Sequence, residues 1–521
     1  MRFLAAAACT WLLALATCLS QDVEQWGVYE AAVKGPDGGN PFADVEFAAT
    51  FSHGETKLKA SGFYDGEGMF RVRCMPDAVG EWTYTTHSNR PELDGKSGKF
   101  KVVPPAAGNH GPVKVSGEFH FAYADGTPYL PFGTTCYAWT HQAIATEEAT
   151  LKTLEKSPFN KIRMCVFPKR YAFNQNEPLL YPFEGTPPNR WDYTRFNPAF
   201  FKHLEGRIEQ LRELGIEADV ILFHPYDGGH WGFDRMPSET DDRYLKYVVA
   251  RLAAYRNVWW SLANEFDFMK EKRDSDWTRF IEIVAAADPY RRLCSIHNGT
   301  RLFNHNHPLL THASIQNGSA VAEFGRAVLY RDAYRKPIVF DESKYEGNFE
   351  QRWGNLSAEE MVHRFWLGAI GGTYTGHGET YHRPDDVVWW AKGGVLHGQS
   401  PPRIAFLRKV LEEGPRGGID PIDKWQEDYS AGRRGEYYLV YLGKSQPAEW
   451  NVELPLAKLE KTPTLTAEVL DVWNMTVTPV PGKFVMRATS TYRMAADPPA
   501  KISLPGKPFQ AIRLRAVTPE K

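Results

Sequence analysis

Two glutamates stand out for the chemistry their surroundings would allow. Glu265 follows the run Val258-Trp259-Trp260-Ser261-Leu262-Ala263-Asn264, and Glu342 follows Pro337-Ile338-Val339-Phe340-Asp341. Each run is apolar enough to be a buried strand, so each carboxyl sits at a strand exit. Two carboxyls about 5 Å apart across an anomeric carbon cleave a glycosidic bond with retention, one as acid and then base, the other as nucleophile; a gap of roughly 6.5–9.5 Å admits a water and gives inversion. Asp341 and Glu346 compete with Glu342 for the second role. Alternation along a strand turns Asp341 away from the face that Glu342 occupies, so Asp341 reads as structural.

The elements that would position these residues are repeated βα units between about Gly117 and Gly414, where short apolar runs alternate with helix-period segments. The predicted strands are Tyr129 to Thr134, Lys161 to Phe167, Ala218 to His224, Val258 to Asn264, Leu293 to Asn298, Thr311 to Gln316, Pro337 to Glu342 and Gly371 to His377. Eight such strands predict a closed (β/α)8 TIM barrel. A helix is predicted where Phe200, Leu204, Ile208, Leu211 and Leu214 recur before Gly215, and another where Ser357-Ala358-Glu359-Glu360 has capping-box form. Long loops around 168–197 and 378–400 are left to shape a cleft. Strand C-termini converge on one mouth of such a barrel, so the exits supply the candidate sugar-binding residues. These are Tyr137 and Trp139, Arg163, His224, Asn264, Asn298, Gln316 and His377. Trp231, Trp389 and Trp390 are candidate stacking platforms, because an apolar sugar face packs well on indole. His297, His305, His307 and His312 cluster in sequence, but no carboxylate or cysteine completes an evident metal geometry, so a solvated loop is expected and neither metal nor cofactor is implied.

The flanks read differently. Period-two alternation from Val23 to Val103 predicts an N-terminal β-sandwich over 21–105, and Val102 to Asn109 reads as a linker. The barrel domain is placed at 106–418. A second β-sandwich over 419–521 is expected from Glu436 to Leu442, Leu465 to Trp473 and Ala511 to Arg515. Trp82, Trp425, Trp450 and Trp473 are the tryptophans that these domains could expose. With 61 Lys plus Arg against 63 Asp plus Glu, the net charge of -2 gives no global field for nucleic acid or anionic lipid. Residues 1–20 read as a signal peptide, Met1-Arg2 followed by an apolar run that is short for the roughly 20 residues a bilayer core needs. A secreted or periplasmic protein without a membrane span is expected, with lipidation at Cys18 a minor alternative. Beyond that segment Cys74, Cys136, Cys165 and Cys294 are too widely spaced for a disulfide framework or structural zinc; one bridge is possible and none is required. Asn298-Gly299-Thr300 and Asn317-Gly318-Ser319 match the N-glycosylation sequon, but both lie at expected barrel exits and read as accidental.

Asn264-Glu265 at the fourth strand and Glu342 at the seventh resemble the clan A retaining glycoside hydrolases, whose acid/base follows an asparagine at the fourth strand. That resemblance implies Glu265 as acid/base, Glu342 as nucleophile, Asn264 as donor to the sugar 2-hydroxyl, and Arg163 as the counter-charge of Glu342. The whole mature chain is similar to secreted bacterial glycoside hydrolases with an N-terminal sandwich, an apiosidase-like barrel and a C-terminal β domain. Asn40-Pro41-Phe42, Gly62-Phe63-Tyr64-Asp65-Gly66 and Gly80-Glu81-Trp82 carry the likeness in the sandwich, and Asp341 to Gly347 carry it in the barrel. Two exits depart from the clan pattern. Gln316-Asn317 stands at the sixth, where a tyrosine is common, and Thr375 to Glu379 at the eighth, where a tryptophan is frequent. The expectation is a secreted retaining β-glycoside hydrolase acting on plant or algal polysaccharides or oligosaccharides. The alternative is a non-catalytic carbohydrate-binding or adhesion protein in which the β domains bind and the barrel is a spacer.

Overall fold

A computed structural model describes residues 22–316, 321–383, 388–422 and 429–517. The expected signal peptide, Asn317 with its sequon, and Trp425 lie outside the described residues. At the centre are eight parallel strands: β1 (Gly133–Thr135), β2 (Lys161–Cys165), β3 (Glu217–Phe223), β4 (Val258–Ala263), β5 (Cys294–Ser295), β6 (Ala313–Gln316), β7 (Ile338–Glu342) and β8 (Tyr374–His377). Their order is 5-4-3-2-1-8-7-6, and a parallel bridge between His297 and Ser314 joins β5 to β6 and closes the ring. All seven residues of β3 and all six of β4 are buried, because helices cover one face and barrel-filling side chains the other.

The outer helices are α1 (Ile144–Glu155), α2 (Pro198–Glu213), α3 (Ser238–Leu252), α4 (Asp274–Ala287), α5 (Phe324–Tyr334), α6 (Ala358–Ile370) and α7 (Ser400–Glu412). Asn197 caps α2 by accepting the Ala199 N–H at 3.1 Å, and Ser357 caps α6 by accepting the Glu360 N–H at 3.2 Å. The apolar stripe of α2 is buried at Phe200, Leu204, Ile208 and Leu211. No helix stands between β5 and β6; residues 296–312 form a loop that buries Phe303, Leu310 and three imidazoles. His297, His305 and His312 are therefore not solvated, contrary to expectation, and burial pulls them down to about 4, 3 and 3. Among the described residues no group of three or more His, Cys, Asp or Glu is placed to hold a metal.

The barrel interior holds a charged layer. Lys161 Nζ bonds Asp219 at 2.6 Å and Asp341 at 2.8 Å, and Ser314 donates to the other oxygen of Asp341 at 2.5 Å. Burial alone would push Asp341 up, but the charges of Lys161 and Arg163 outweigh it and hold that carboxyl far below the usual range. Beneath this layer a three-stranded meander, Val113–Ser116, His120–Tyr123 and Pro128–Tyr129, closes the N-terminal end, with Phe121 and Tyr129 packed 5.2 Å and 5.9 Å from the Trp259 ring. Tyr129 thus belongs to the meander and not to β1. Pro131 separates the two, since it has no N–H to give to the ladder.

The N-terminal domain is a seven-stranded sheet wrapped around Phe47, Phe51, Phe70, Trp82 and Phe100. It docks on α2 and α3 through buried charges. Glu205 takes Arg73 at 2.8 Å and Arg251 at 2.5 Å, and Arg251 also reaches Asp65 at 3.0 Å. The C-terminal domain is an eight-stranded sheet with a two-stranded annex. It packs on α6, where Tyr441 stacks 5.3 Å from Trp366 and its hydroxyl lies 3.0 Å from His363 Nδ1. Trp82 is buried, while Trp450 and Trp473 are half-buried, the latter under Arg403 at 4.2 Å. Cys74, Cys136, Cys165 and Cys294 are all free and buried.

Removing one partner of the docking cluster leaves a charge buried without compensation. Glu205→Ala is therefore expected to lower unfolding free energy by roughly 3–5 kcal/mol. Urea denaturation checks this against Glu81→Ala, which breaks an exposed pair with Lys99. Similar small losses in both would mean that the cluster does not fasten the domain.

Candidate active site

A cavity of about 710 Å³ opens at the C-terminal ends of the strands. Of the residues singled out from the sequence, Tyr137, Asn264, Glu265, Gln316, Glu342 and Trp390 line it, so both glutamates face one space. The backbone delivers them in different ways. After β4 ends at Ala263, Glu265 adopts a left-handed conformation (φ 52°) before the single 3-10 turn Phe266–Phe268. A non-glycine residue there costs about 1–3 kcal/mol, and such strain persists where surrounding contacts over-determine it. Glu342 is the last residue of β7, where the ladder to β6 slips between Ser314 and Gln316 so that Gln316 pairs with Glu342.

The two carboxyls have different neighbours. The Tyr137 hydroxyl donates to Glu342 Oε1, and Arg163 Nη1 lies 3.5 Å from that oxygen and 3.3 Å from the hydroxyl. His297 Nε2 is 3.6 Å from the same oxygen and 3.3 Å from Gln316 Oε1. Glu265 Oε2 accepts from the Tyr226 hydroxyl and from Asn264 Nδ2 at 3.2 Å. Asn264 Oδ1 lies 3.2 Å from the Tyr137 hydroxyl, which makes a continuous polar chain from one glutamate to the other. Burial first, then the charge of Glu342, push Glu265 up to about 7, against the opposing pull of Lys169 and of the Tyr226 hydrogen bond. Glu265 is thus a carboxyl of the cavity displaced upward toward neutrality, the setting a general acid requires.

Several other residues singled out from the sequence stand away from the cavity. Arg163 is buried behind Tyr137 and reaches the site through it and Glu342. Asn298 is also buried; its side chain brackets the backbone of Gln316, accepting the N–H at 3.2 Å and donating to the carbonyl at 3.3 Å, so it fixes a lining residue without lining the site. His224 does not face sugar: Nε2 lies 3.1 Å from the Phe167 carbonyl, and Nδ1 accepts the Tyr226 N–H at 3.1 Å. His377 stacks 4.5 Å from Phe159 and pairs with Thr134, inside the packed core. Trp139, Trp231 and Trp389 are fully buried and have no face to offer a ligand. The indole N–H of Trp231 is taken by Glu177 at 2.8 Å, and that of Trp389 by Thr134 at 2.9 Å.

Lys169, Tyr171, Phe173, Tyr226, Tyr345 and Trp353 line the cavity and escaped the sequence reading. Tyr226 stands two residues after His224, beyond the end of β3, where strand alternation no longer sets side-chain direction. The tyrosine expected at the sixth exit is replaced in space by Tyr137 from the first, whose hydroxyl reaches Glu342.

Fold and site together define a TIM-barrel glycoside hydrolase. The chain belongs to the apiosidase-like catalytic domain family, whose model matches residues 116–441. The flanks match two domains of unknown function, DUF5060 over residues 22–89 and DUF5605 over residues 425–515. A Bacteroides vulgatus protein, provisionally classed as a glycoside hydrolase, is 44% identical over 95% of this chain and 100% of its own, with a TM-score of 0.92. A glycoside hydrolase family 5 protein from Bacteroides vulgatus shares the fold at 14% identity, covering 78% of this chain and 94% of that one, with a TM-score of 0.58. No curated protein matches the sequence.

Because Glu342 contributes charge to the upward displacement of Glu265, Glu342→Gln is expected to lower the Glu265 pKa from about 7. It should remain above the ordinary 4.5, since burial is the larger cause. Carboxyl-carbon NMR titration of the labelled protein checks this, and an unchanged midpoint would show that the two groups do not sense each other.

Proposed function

We propose that the chain is a secreted retaining β-glycoside hydrolase acting on plant or algal polysaccharides or their oligosaccharides. The observation that carries this reading is the opposite setting of two carboxyls on one cavity: Glu265 kept protonated by burial, Glu342 surrounded by Tyr137 and Arg163. Glu265 gives its proton to the glycosidic oxygen while Glu342 attacks the anomeric carbon, and the leaving alcohol departs from a covalent glycosyl-enzyme. Glu265, now a carboxylate, takes a proton from water, whose oxygen displaces Glu342 and restores both groups. Asn264 turns its amide from Glu265 toward the sugar 2-hydroxyl, a contact that strengthens as oxocarbenium character grows. Tyr171, Phe173, Trp353 and Trp390 supply an aromatic wall, with Phe173 and Trp390 ring centres 5.7 Å apart. The apolar first 20 residues support export.

Product configuration followed by NMR on a panel of polysaccharides and aryl β-glycosides tests the reading, with retention expected at first turnover. An inverted first product would overturn the double displacement. Glu265→Gln should lower kcat on substrates with poor leaving groups by roughly 10²–10⁴. The same change should spare activated aryl glycosides at the first step. Because the acid form of Glu265 is present below its raised pKa and lost above it, kcat/KM should fall as pH rises through about 7. That limb should vanish in Glu265→Gln.

A further inference from the structure

The strongest feature that the two-carboxylate scheme does not use is the positive charge around it. Lys169 is buried, and its Nζ sits 3.7 Å from the ring centre of Tyr137, 4.1 Å from that of Tyr226 and 4.7 Å from that of Tyr171. Among the described residues this ammonium has no hydrogen-bond acceptor or ion-pair partner, although it lines the cavity. Ring faces stabilise a cation but fill none of its three donor positions, so its acceptors must come from whatever occupies the cavity. Lys344 and Arg352 line the same space, and neither forms an ion pair with a described residue. Lys344 is held in a left-handed backbone (φ 67°), and burial together with the charges of Arg364 and Arg352 lowers its pKa. Glu360 is the carboxylate that opposes them.

Such a set opposes catalysis on a neutral sugar. The transition state carries positive charge at the anomeric carbon, and cations lining the same cavity in excess of its carboxylates repel it. With Glu265 in its acid form, Glu342 is the one anionic residue lining the cavity, against Lys169, Lys344 and Arg352. A negative group on the substrate would remove the conflict by giving these cations their missing partner. We propose that the glycan bound in this cavity carries an anionic substituent, a uronate carboxylate or a sulfate ester, recognised by Lys169, Lys344 and Arg352. The proposal deepens the hydrolase reading and rests on this cavity being its sugar site.

The test uses the full chain with Glu265→Gln, which keeps the neutral shape of the acid form and slows turnover. Binding is measured by calorimetry for uronate oligosaccharides, for sulfated galacto-oligosaccharides, and for the carboxyl-reduced and desulfated counterparts of each. One anionic set should bind at least roughly tenfold more tightly than its neutral counterpart, because a buried charged hydrogen bond is lost in the latter. Preference for the first set identifies a carboxylate, preference for the second a sulfate. Adding Lys169→Met should remove most of that preference, and adding Lys344→Met with Arg352→Gln a smaller part of it, while the melting temperature stays within a few degrees. Equal affinity for anionic and neutral members, or no saturable binding to either anionic set, overturns the inference. The unsubstituted protein is assayed for cleavage of the same panel. Turnover of neutral and anionic members at equal kcat/KM would leave the hydrolase and sink the anionic substrate; charge-selective binding without turnover would do the reverse.

Discussion

The whole site depends on two cations that β2 sends into the barrel. Lys161 and Arg163 are two residues apart, so both point inward, one below the other. Lys161 reaches Asp341 and Arg163 reaches Glu342, so consecutive residues of β7 are each met by a cation from a strand that is not β7's neighbour in the sheet. Strand alternation alone would send Asp341 and Glu342 to opposite faces. Asp341 occupies the interior layer, and the slipped register with β6 accompanies Glu342's turn to the mouth. Removing one partner of a buried pair leaves a charge without compensation, so the members of this layer depend on one another. Asp219, Ser314 and Tyr137 add further partners to these four residues.

The exits that hold the two glutamates were legible because β4 and β7 are short, largely apolar runs ending in polar residues, whereas the sequence places β1, a Gly-Thr-Thr segment, too early, on the meander's Tyr129. Alternation puts Asp341 on the face away from Glu342; it lies in the barrel interior on Lys161 and Ser314, where the slipped register accompanies Glu342's turn to the mouth. What the sequence did not reveal is which exit residues reach the mouth. His224 and Tyr226 sit two residues apart after the same strand, yet the imidazole is consumed by backbone groups and the phenol reaches Glu265. No periodicity distinguishes them past the strand end, where the chain direction is set by the turn. The tryptophans failed for another reason. Trp139, Trp231 and Trp389 carry large apolar areas that the core claims first, and of the four expected tryptophans Trp390, next to one of them on the one-turn helix Trp389–Lys392, is the one left to the cavity.

Tyr137 shows why family patterns transfer by position in space and not by strand number. A hydroxyl beside the second carboxylate can be supplied from any exit that converges on it. Here β1 supplies it, held by Arg163 at 3.3 Å and facing Trp390 edge-on at 5.9 Å. Gln316 is then free to bridge toward Glu265 and His297 from the sixth exit.

A perturbed acid alone does not mark the site. Glu217, at the start of β3, is also pushed up to about 7 by burial, and it accepts the Trp259 indole N–H at 2.9 Å. It lies at the end of the barrel that the meander seals, among Tyr129, Trp259 and the charged layer. Glu265 shares the burial and the displaced pKa but has the charge of Glu342 beside it and an open cavity in front. Desolvation displaces both glutamates toward neutrality; access and a second carboxyl make only one of them the candidate acid. The N-terminal sheet on α2 and α3 and the C-terminal sheet on α6 both dock on the outer helices, and the cavity is lined by residues between 137 and 390 of the barrel domain.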